Sequence, residues 1–290
     1  REAQDQEKLF VFDKVAAKTN ASQAEICVLV ETPEQARVAL KAGANRLYAT
    51  TDVLTDASWP EDLLAKIVPW LDEVCREIDH NRLDPYVVSG KPVAVGNISE
   101  LALAVERGAV PEVRECIPIH NDYALQTVAD MGAEGVWLNS ELTLQEICHM
   151  ARNSSIPVGY MVSGRIRTMT TEHCILMSTG KCIHDCDVCK LRLEEHTLRG
   201  IDNDYMPVRT DRHGRSKIWS PKLFDGVPEI SEMLSAGVKR FMVDATLLSV
   251  EQTREATSRV AAAIEATASG ASLPARLKDA SVGHLFSPIG

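Results

Sequence analysis

No stretch of this 290-residue chain approaches the roughly 20 consecutive apolar residues of a membrane span. The N-terminus, REAQDQEKLF, has no apolar core of the kind a secretory signal needs. Membrane insertion and signal-directed export are therefore not expected. Positive charge is in deficit: 31 Lys and Arg against 41 Asp and Glu give a formal charge of -10. That argues against wide, non-specific nucleic-acid binding by the whole surface, but not against a local basic face. The first strand-to-helix turn lacks G-x-G-x-x-G, which weakens a dinucleotide-binding reading, and the H-E-x-x-H of a zinc peptidase is absent. The G-x-S-x-G nucleophile elbow is missing as well. The chain opens on Arg1 rather than Met, which suggests a processed form or a piece of a longer protein.

What is present is a concentration of cysteine. Four of the eight fall between Thr171 and Cys189, in the order Cys174, Cys182, Cys186 and Cys189, with His173 and His184 among them. A run this short, with few large apolar residues, cannot fold by burial alone. A metal bound by four soft ligands would fix it, because its binding free energy becomes folding free energy. The other cysteines, Cys27, Cys75, Cys116 and Cys148, are scattered in apolar surroundings, where cysteine acts as a small hydrophobe. Clustering without any sign of export points to metal ligation in a reducing compartment, the cytoplasm, rather than to disulfides. Sulfur-only ligation suits both Zn²⁺ and an iron–sulfur cluster, and Cys186-x2-Cys189 taken alone favours zinc.

Around this cluster the chain alternates short apolar strands with helices. Residues 1–24 are polar and form an N-terminal extension. Strands are expected at 25–31, 45–50, 92–97, 113–119, 135–139, 158–162, 216–220 and 239–245. Helices lie between them, including one from about Pro60 to Asp79 kinked at Pro69. KAGANRLY, ERGAVPEV, DMGAEGVW and SAGVKRFM each place Gly just past a helix and shortly before a strand, the left-handed cap of a short connection. Strands apolar on both faces belong to a parallel sheet. Eight of them make an α/β fold of the (β/α)8 TIM-like barrel type, spanning 25–268, with an open doubly wound sheet as the alternative. The cysteine-rich insertion, 171–215, follows the sixth expected strand. Residues 269–290 read as a flexible C-terminal tail.

A barrel carries its chemistry at the C-terminal ends of its strands. Those ends hold Glu31, Thr50, Asn97, His120, Asn121, Asn139, Glu141, Ser163, Arg165 and Asp244, on the face that also carries the insertion. Asn97, Asn121, Asn139 and Glu141 are candidate substrate-binding residues; the asparagines also suit turns. Arg165 can hold an anionic substrate through its planar fork or close a salt bridge to Glu141 or Glu172. Glu172 and His173 are candidates for catalysis or for orienting the metal loop. From Lys181 to Lys222, nine basic residues stand against seven acids. That mild patch permits RNA contact and reads more simply as solvated surface.

The stretch SGRIRTMTTEHC with the C-x3-C of Cys182 and Cys186 resembles the signature of the peptidase U32 family, the collagenase-like proteases. ETPEQARVALKAGANRLY, VAVGNISELALA, IHNDYALQTVADMGAEGVWLNSELTLQEI and RTDRHGRSKIWSPKLFDGVPEISEMLSAGVKRFMVD resemble further family segments in order, so the likeness runs from Ile26 to Leu248. It implies a barrel and, in several members, a [4Fe-4S] cluster held by four cysteines. Cys174, Cys182 and Cys186 match family cysteines, whereas Cys189 rests on spacing alone. It also implies either the nominal peptidase activity or an oxygen-independent, iron–sulfur-dependent hydroxylation of RNA or a small aromatic compound. A third implication is a non-catalytic barrel region that supports other domains of a longer chain or a second U32 subunit.

Overall fold

The computed structural model describes residues 24–56, 59–180, 182–185, 188–192, 194–201 and 203–288. The expected N-terminal extension and Cys186 lie outside the described residues. The chain begins with β1 (Glu25–Leu29), α1 (Pro33–Lys41) and β2 (Arg46–Thr50), as the pattern requires. Thr32 caps α1: its hydroxyl accepts from Gln35 N at 3.1 Å, and Gln35 Oε1 accepts from Thr32 N at 3.3 Å, with Pro33 at the first helical position.

The expected long helix to Asp79 does not form. A short helix α2 (Thr51–Asp56) follows β2; in place of the long helix stand the short helix α3 (Glu61–Leu64) and strand β3 (Ile67–Trp70), and the helix α4 (His80–Leu83) comes after them. Ile67, Val68, Trp70 and Leu71 are all buried, so this is a short apolar strand whose spacing mimics a helix face. Leu64 and Ile78, the outer members of that supposed face, are exposed. Pro69 is tolerated in β3 because the ladder to the next strand comprises the single pair Trp70–Ala94.

The alternation resumes with β4 (Pro92–Val95), α5 (Ile98–Glu106), β5 (Val110–Val113), α6 (Asp122–Asp130), β6 (Gly135–Trp137), α7 (Leu144–Asn153) and β7 (Val158–Gly164). The strand expected at 113–119 thus ends at Val113, and 114–119 is loop. An insertion follows: β8 (Arg167–Thr171), β9 (Glu195–Arg199), β10 (Tyr205–Thr210) and β11 (Ser216–Trp219) form an antiparallel sheet in the order β8-β11-β10-β9. The chain closes with β12 (Phe224–Asp225), α8 (Ile230–Ala236), β13 (Arg240–Asp244) and α9 (Val250–Ser269).

Parallel pairing runs from β1 through β7, then from β7 to β13 and back to β1, which closes a barrel of eight strands. SKIW, expected as a barrel strand, belongs to the inserted sheet, and β3 takes its place in the count. The insertion therefore leaves the seventh barrel strand. Among the described residues no helix is long and apolar enough to cross a membrane.

The described residues after α9 contain no helix or regular strand, yet they pack. Ser281 N donates to Leu223 O at 2.7 Å, and Leu285 O accepts from Leu144 N at 2.9 Å. Leu285 is buried, which contributes about 1.5–3 kcal/mol relative to exposure. This differs from the expected free linker.

The barrel interior holds Cys27, Leu29, Tyr48, Val68, Trp70, Ala94, Trp137 and Met242. Burial pushes the Cys27 thiol far above its ordinary range, so it stays a neutral hydrophobe. At the N-terminal strand ends the floor is ionic. Glu112 accepts from Arg46, from Tyr48 Oη at 2.7 Å and from Trp137 Nε1 at 3.4 Å, and pairs with Arg240 at 3.1 Å.

Candidate active site at the barrel mouth

The inserted sheet leaves the C-terminal end of β7 through Gly164, which has φ of 137°. A Cβ there would lie 2.7 Å from the Asp244 carbonyl oxygen, so only glycine allows this exit. The sheet then lies over the barrel mouth as a roof. Arg165, the anion-binding candidate, holds it down: Nη1 donates to the carbonyls of Ser220 (2.9 Å) and Pro221 where β11 returns to the barrel.

Four further ties join roof to rim. Arg209 Nη1 donates to both oxygens of Glu31, at 2.7 and 2.6 Å. Arg167 meets Glu115 at 3.0 Å and Glu73 at 3.5 Å. His213 Nε2 sits 3.2 Å from Asp52. Arg215 is 2% exposed and reaches Asp72 at 3.2 Å, Asp79 at 2.6 Å and Glu172 at 3.4 Å. Behind them Arg114, fully buried, pairs with Glu73 and Glu115 and lies 4.7 Å over the Trp70 ring.

Between roof and mouth is a cavity of about 390 Å³, within the ordinary range of small-molecule sites. Its apolar wall comes from Leu29, Trp70, Trp137, Met161, Trp219 and Met242, and its polar wall from Glu31, Asp52, Glu115, Arg167, Arg209, Asp211, Lys217 and Asp244. The carboxylates divide by environment. For Glu31 burial outweighs the Arg209 charge, for Asp211 it outweighs the Lys217 charge and the Arg215 N–H, and for Asp244 it outweighs the Thr246 hydrogen bonds, so all three are raised from their ordinary values. Burial also pushes Glu73, Glu115 and Asp52 upward, but is overcome. Arg167 and Arg114 hold Glu73 and Glu115 below their ordinary values. The His213 hydrogen bond, helped by Lys217, does the same for Asp52. The cavity acids are therefore shifted in opposite directions, by burial in one group and by neighbouring cations in the other.

Of the strand-end residues, Glu31, Thr50 and Asp244 line this cavity. The three asparagines are engaged elsewhere. Asn97 and Asn121 cap α5 and α6, accepting from Glu100 N at 3.0 Å and Ala124 N at 2.9 Å. Asn139 shapes a turn, donating to Glu115 O and accepting from Glu141 N. Glu141 is exposed, 3.7 Å from His120. Glu172 is exposed between Arg76 and Arg215, and His173 is exposed beside it. Arg167, Arg209, Lys217 and the tryptophans went unread as site residues. For Arg209 and Lys217 the one sequence signal is the basic stretch from 181 to 222, which reads as solvated surface although Arg209, Arg215 and Lys217 point inward.

Cys174, Cys182 and Cys189 are free, half-buried thiols on a loop anchored by the buried Leu176 near its start, whereas Ile183 and Val188 further along are exposed. In kind, these donors suit a soft metal centre. Cys182 Sγ lies 3.9 Å from His184 Nδ1, and among the described residues no three ligating side chains converge on one point. Cys174 adjoins the roof: the next residue, Ile175, donates its N–H to Ser216 Oγ at 3.0 Å, and Ser216 neighbours Lys217 on β11.

Among solved structures, the chain is similar to thiamine phosphate pyrophosphorylase from Pyrococcus furiosus, at 12% identity over 85% of this chain and 98% of that one, with a TM-score of 0.45. It is also similar to a mutant tryptophan synthase alpha-subunit from Pyrococcus furiosus, at 12% identity over 87% and 99%, with a TM-score of 0.36. No curated protein sequence matches it. The family model of peptidase family U32 matches residues 113–282, from the end of β5 through the roof, the later strands and most of the packed tail. On that match, over more than half its length, the chain belongs to peptidase family U32.

Proposed function

We propose that this U32 chain is a cytoplasmic modification enzyme that acts on a small planar group inside the roofed cavity. The substrate class is a small aromatic compound or an RNA base. We further propose that the loop continuing the roof carries a cysteine-ligated centre, a [4Fe-4S] cluster rather than Zn²⁺. The observation that carries the reading is the cavity itself. About 390 Å³ beneath a four-stranded roof suits one ring system, not a polypeptide lying across an open groove. Its described lining contains neither cysteine nor histidine, so a serine or cysteine nucleophile with an imidazole base has no place in it. Glu31 and Asp244, whose values burial raises, are the acid–base groups, while the roof excludes water and Arg167 orients the substrate. Cys174, Cys182, Cys186 and Cys189 would hold the cluster, which supplies one-electron chemistry when bound.

Cleavage of gelatin tests this reading against the family's nominal activity. The wild-type protein is expected to leave gelatin intact at any metal loading. Gelatin cleavage that disappears in Asp244→Asn or Glu31→Gln, with the fold retained, would contradict it.

A further inference from the structure

Among the described residues, one cation at the barrel mouth stands outside the ion pairs. Lys217 is half-buried on β11 and lines the cavity. Its charge reaches Glu31, Asp52, Glu73 and Asp211. Three of these acids have closer partners: Glu31 has Arg209, Asp52 has His213, and Glu73 has Arg114 and Arg167, while Asp211 Oδ1 accepts from the N–H groups of His213 and Arg215 and its Oδ2 is buried without a hydrogen bond. Among the described residues, no carboxylate oxygen forms an ion pair with the Lys217 ammonium. A partly desolvated ammonium is costly without a partner at hydrogen-bond distance, and a ligand anion in the cavity that Lys217 lines can supply one.

Two features define that counter-ion. The surrounding acids repel additional negative charge, so one ammonium can offset a monoanion but not a dianion such as a phosphate ester. Three of the chain's four tryptophans, Trp70, Trp137 and Trp219, line the same cavity, an apolar wall suited to a flat ring. We propose that Lys217 is the specificity-determining counter-ion for a small aromatic monocarboxylate whose ring lies against these tryptophans. This inference rests on the reading of the cavity as the substrate site.

Titration calorimetry on the full chain with benzoate, its neutral isostere benzamide, and phenylphosphate tests it. Wild type is expected to bind benzoate about tenfold tighter than benzamide or more, and phenylphosphate no tighter than benzoate. Lys217→Met should reduce benzoate affinity to the benzamide level and leave benzamide unchanged, whereas Lys217→Arg should keep the preference. The wild-type ratio decides even if the methionine variant does not fold. Equal binding of benzoate and benzamide, tighter binding of phenylphosphate, or benzoate binding unaffected in Lys217→Met overturns the inference and leaves the cavity reading standing. No saturable binding of either ring compound up to about 20 mM, a ceiling for so small a ligand, overturns both.

Discussion

Arg215→Met lowers the free energy of unfolding by about 3–5 kcal/mol, the usual cost of stripping one partner from a buried ion pair. Methionine matches the length of the arginine stem, so packing changes little and the loss is electrostatic. Asp72 and Asp79, buried at the rim, then keep Arg82 as their shared cation. Because Arg215 ties the 211–215 turn to the barrel, the roof should also loosen, and limited proteolysis should cut within 172–215 before the barrel. Urea denaturation checks the magnitude, and a loss below about 1 kcal/mol, the scale of an exposed pair, would contradict the network's role.

The same network fixes the sign of the acid response. Burial pushes Asp79 up, but the Arg76 N–H, Arg215 and Arg82 outweigh it, so its folded-state value lies below its unfolded one. Its contribution is complete above about pH 4 and is lost as pH falls through the folded value. Wild type should therefore lose stability below about pH 4, and Arg215→Met should lose it less steeply.

Glu112→Leu is expected to cost a similar amount, about 3–5 kcal/mol, at the opposite end of the barrel. The substitution removes the shared acceptor of Arg46, Arg240, Tyr48 and Trp137. Arg240 retains Glu25 at 2.9 Å, whereas the Tyr48 hydroxyl, buried in the interior, is left without an acceptor. Leucine fills part of the space but cannot answer two guanidinium groups. The two losses should differ in kind: Glu112→Leu weakens the barrel as one unit, and its urea transition stays cooperative with the roof protected from proteolysis. Early cutting in 172–215 in this variant would show that roof and floor are not separate.

The barrel was legible because its strands are apolar on both faces and its helices end on glycines such as Gly43, Gly132 and Gly237, each at positive φ. The count of eight came out right through two displacements that cancel. β3 resembled a helix face because Leu63, Ile67 and Leu71 recur at a spacing of four. β11 resembled a barrel strand because an inward-facing roof strand is as apolar as a core strand. The location of the site was legible too, since strand ends and insertion share one rim. Its residues mostly were not. Asn97 and Asn121 at strand ends turned out to cap the helices that follow, a use sequence position alone does not separate from cavity lining. Lys217 and Arg209 lie in a stretch of mixed charge, and only the antiparallel alternation of the roof, with every second side chain facing the mouth, sends them inward.

The measurement that tests the account most directly is the iron, zinc and acid-labile sulfide content of anaerobically purified protein, wild type beside Cys186→Ser. About four iron and four sulfide per chain are expected, lost in the serine variant while the barrel still melts cooperatively. Zinc without sulfide, or iron and sulfide retained in Cys186→Ser, would contradict a cluster on the roof loop.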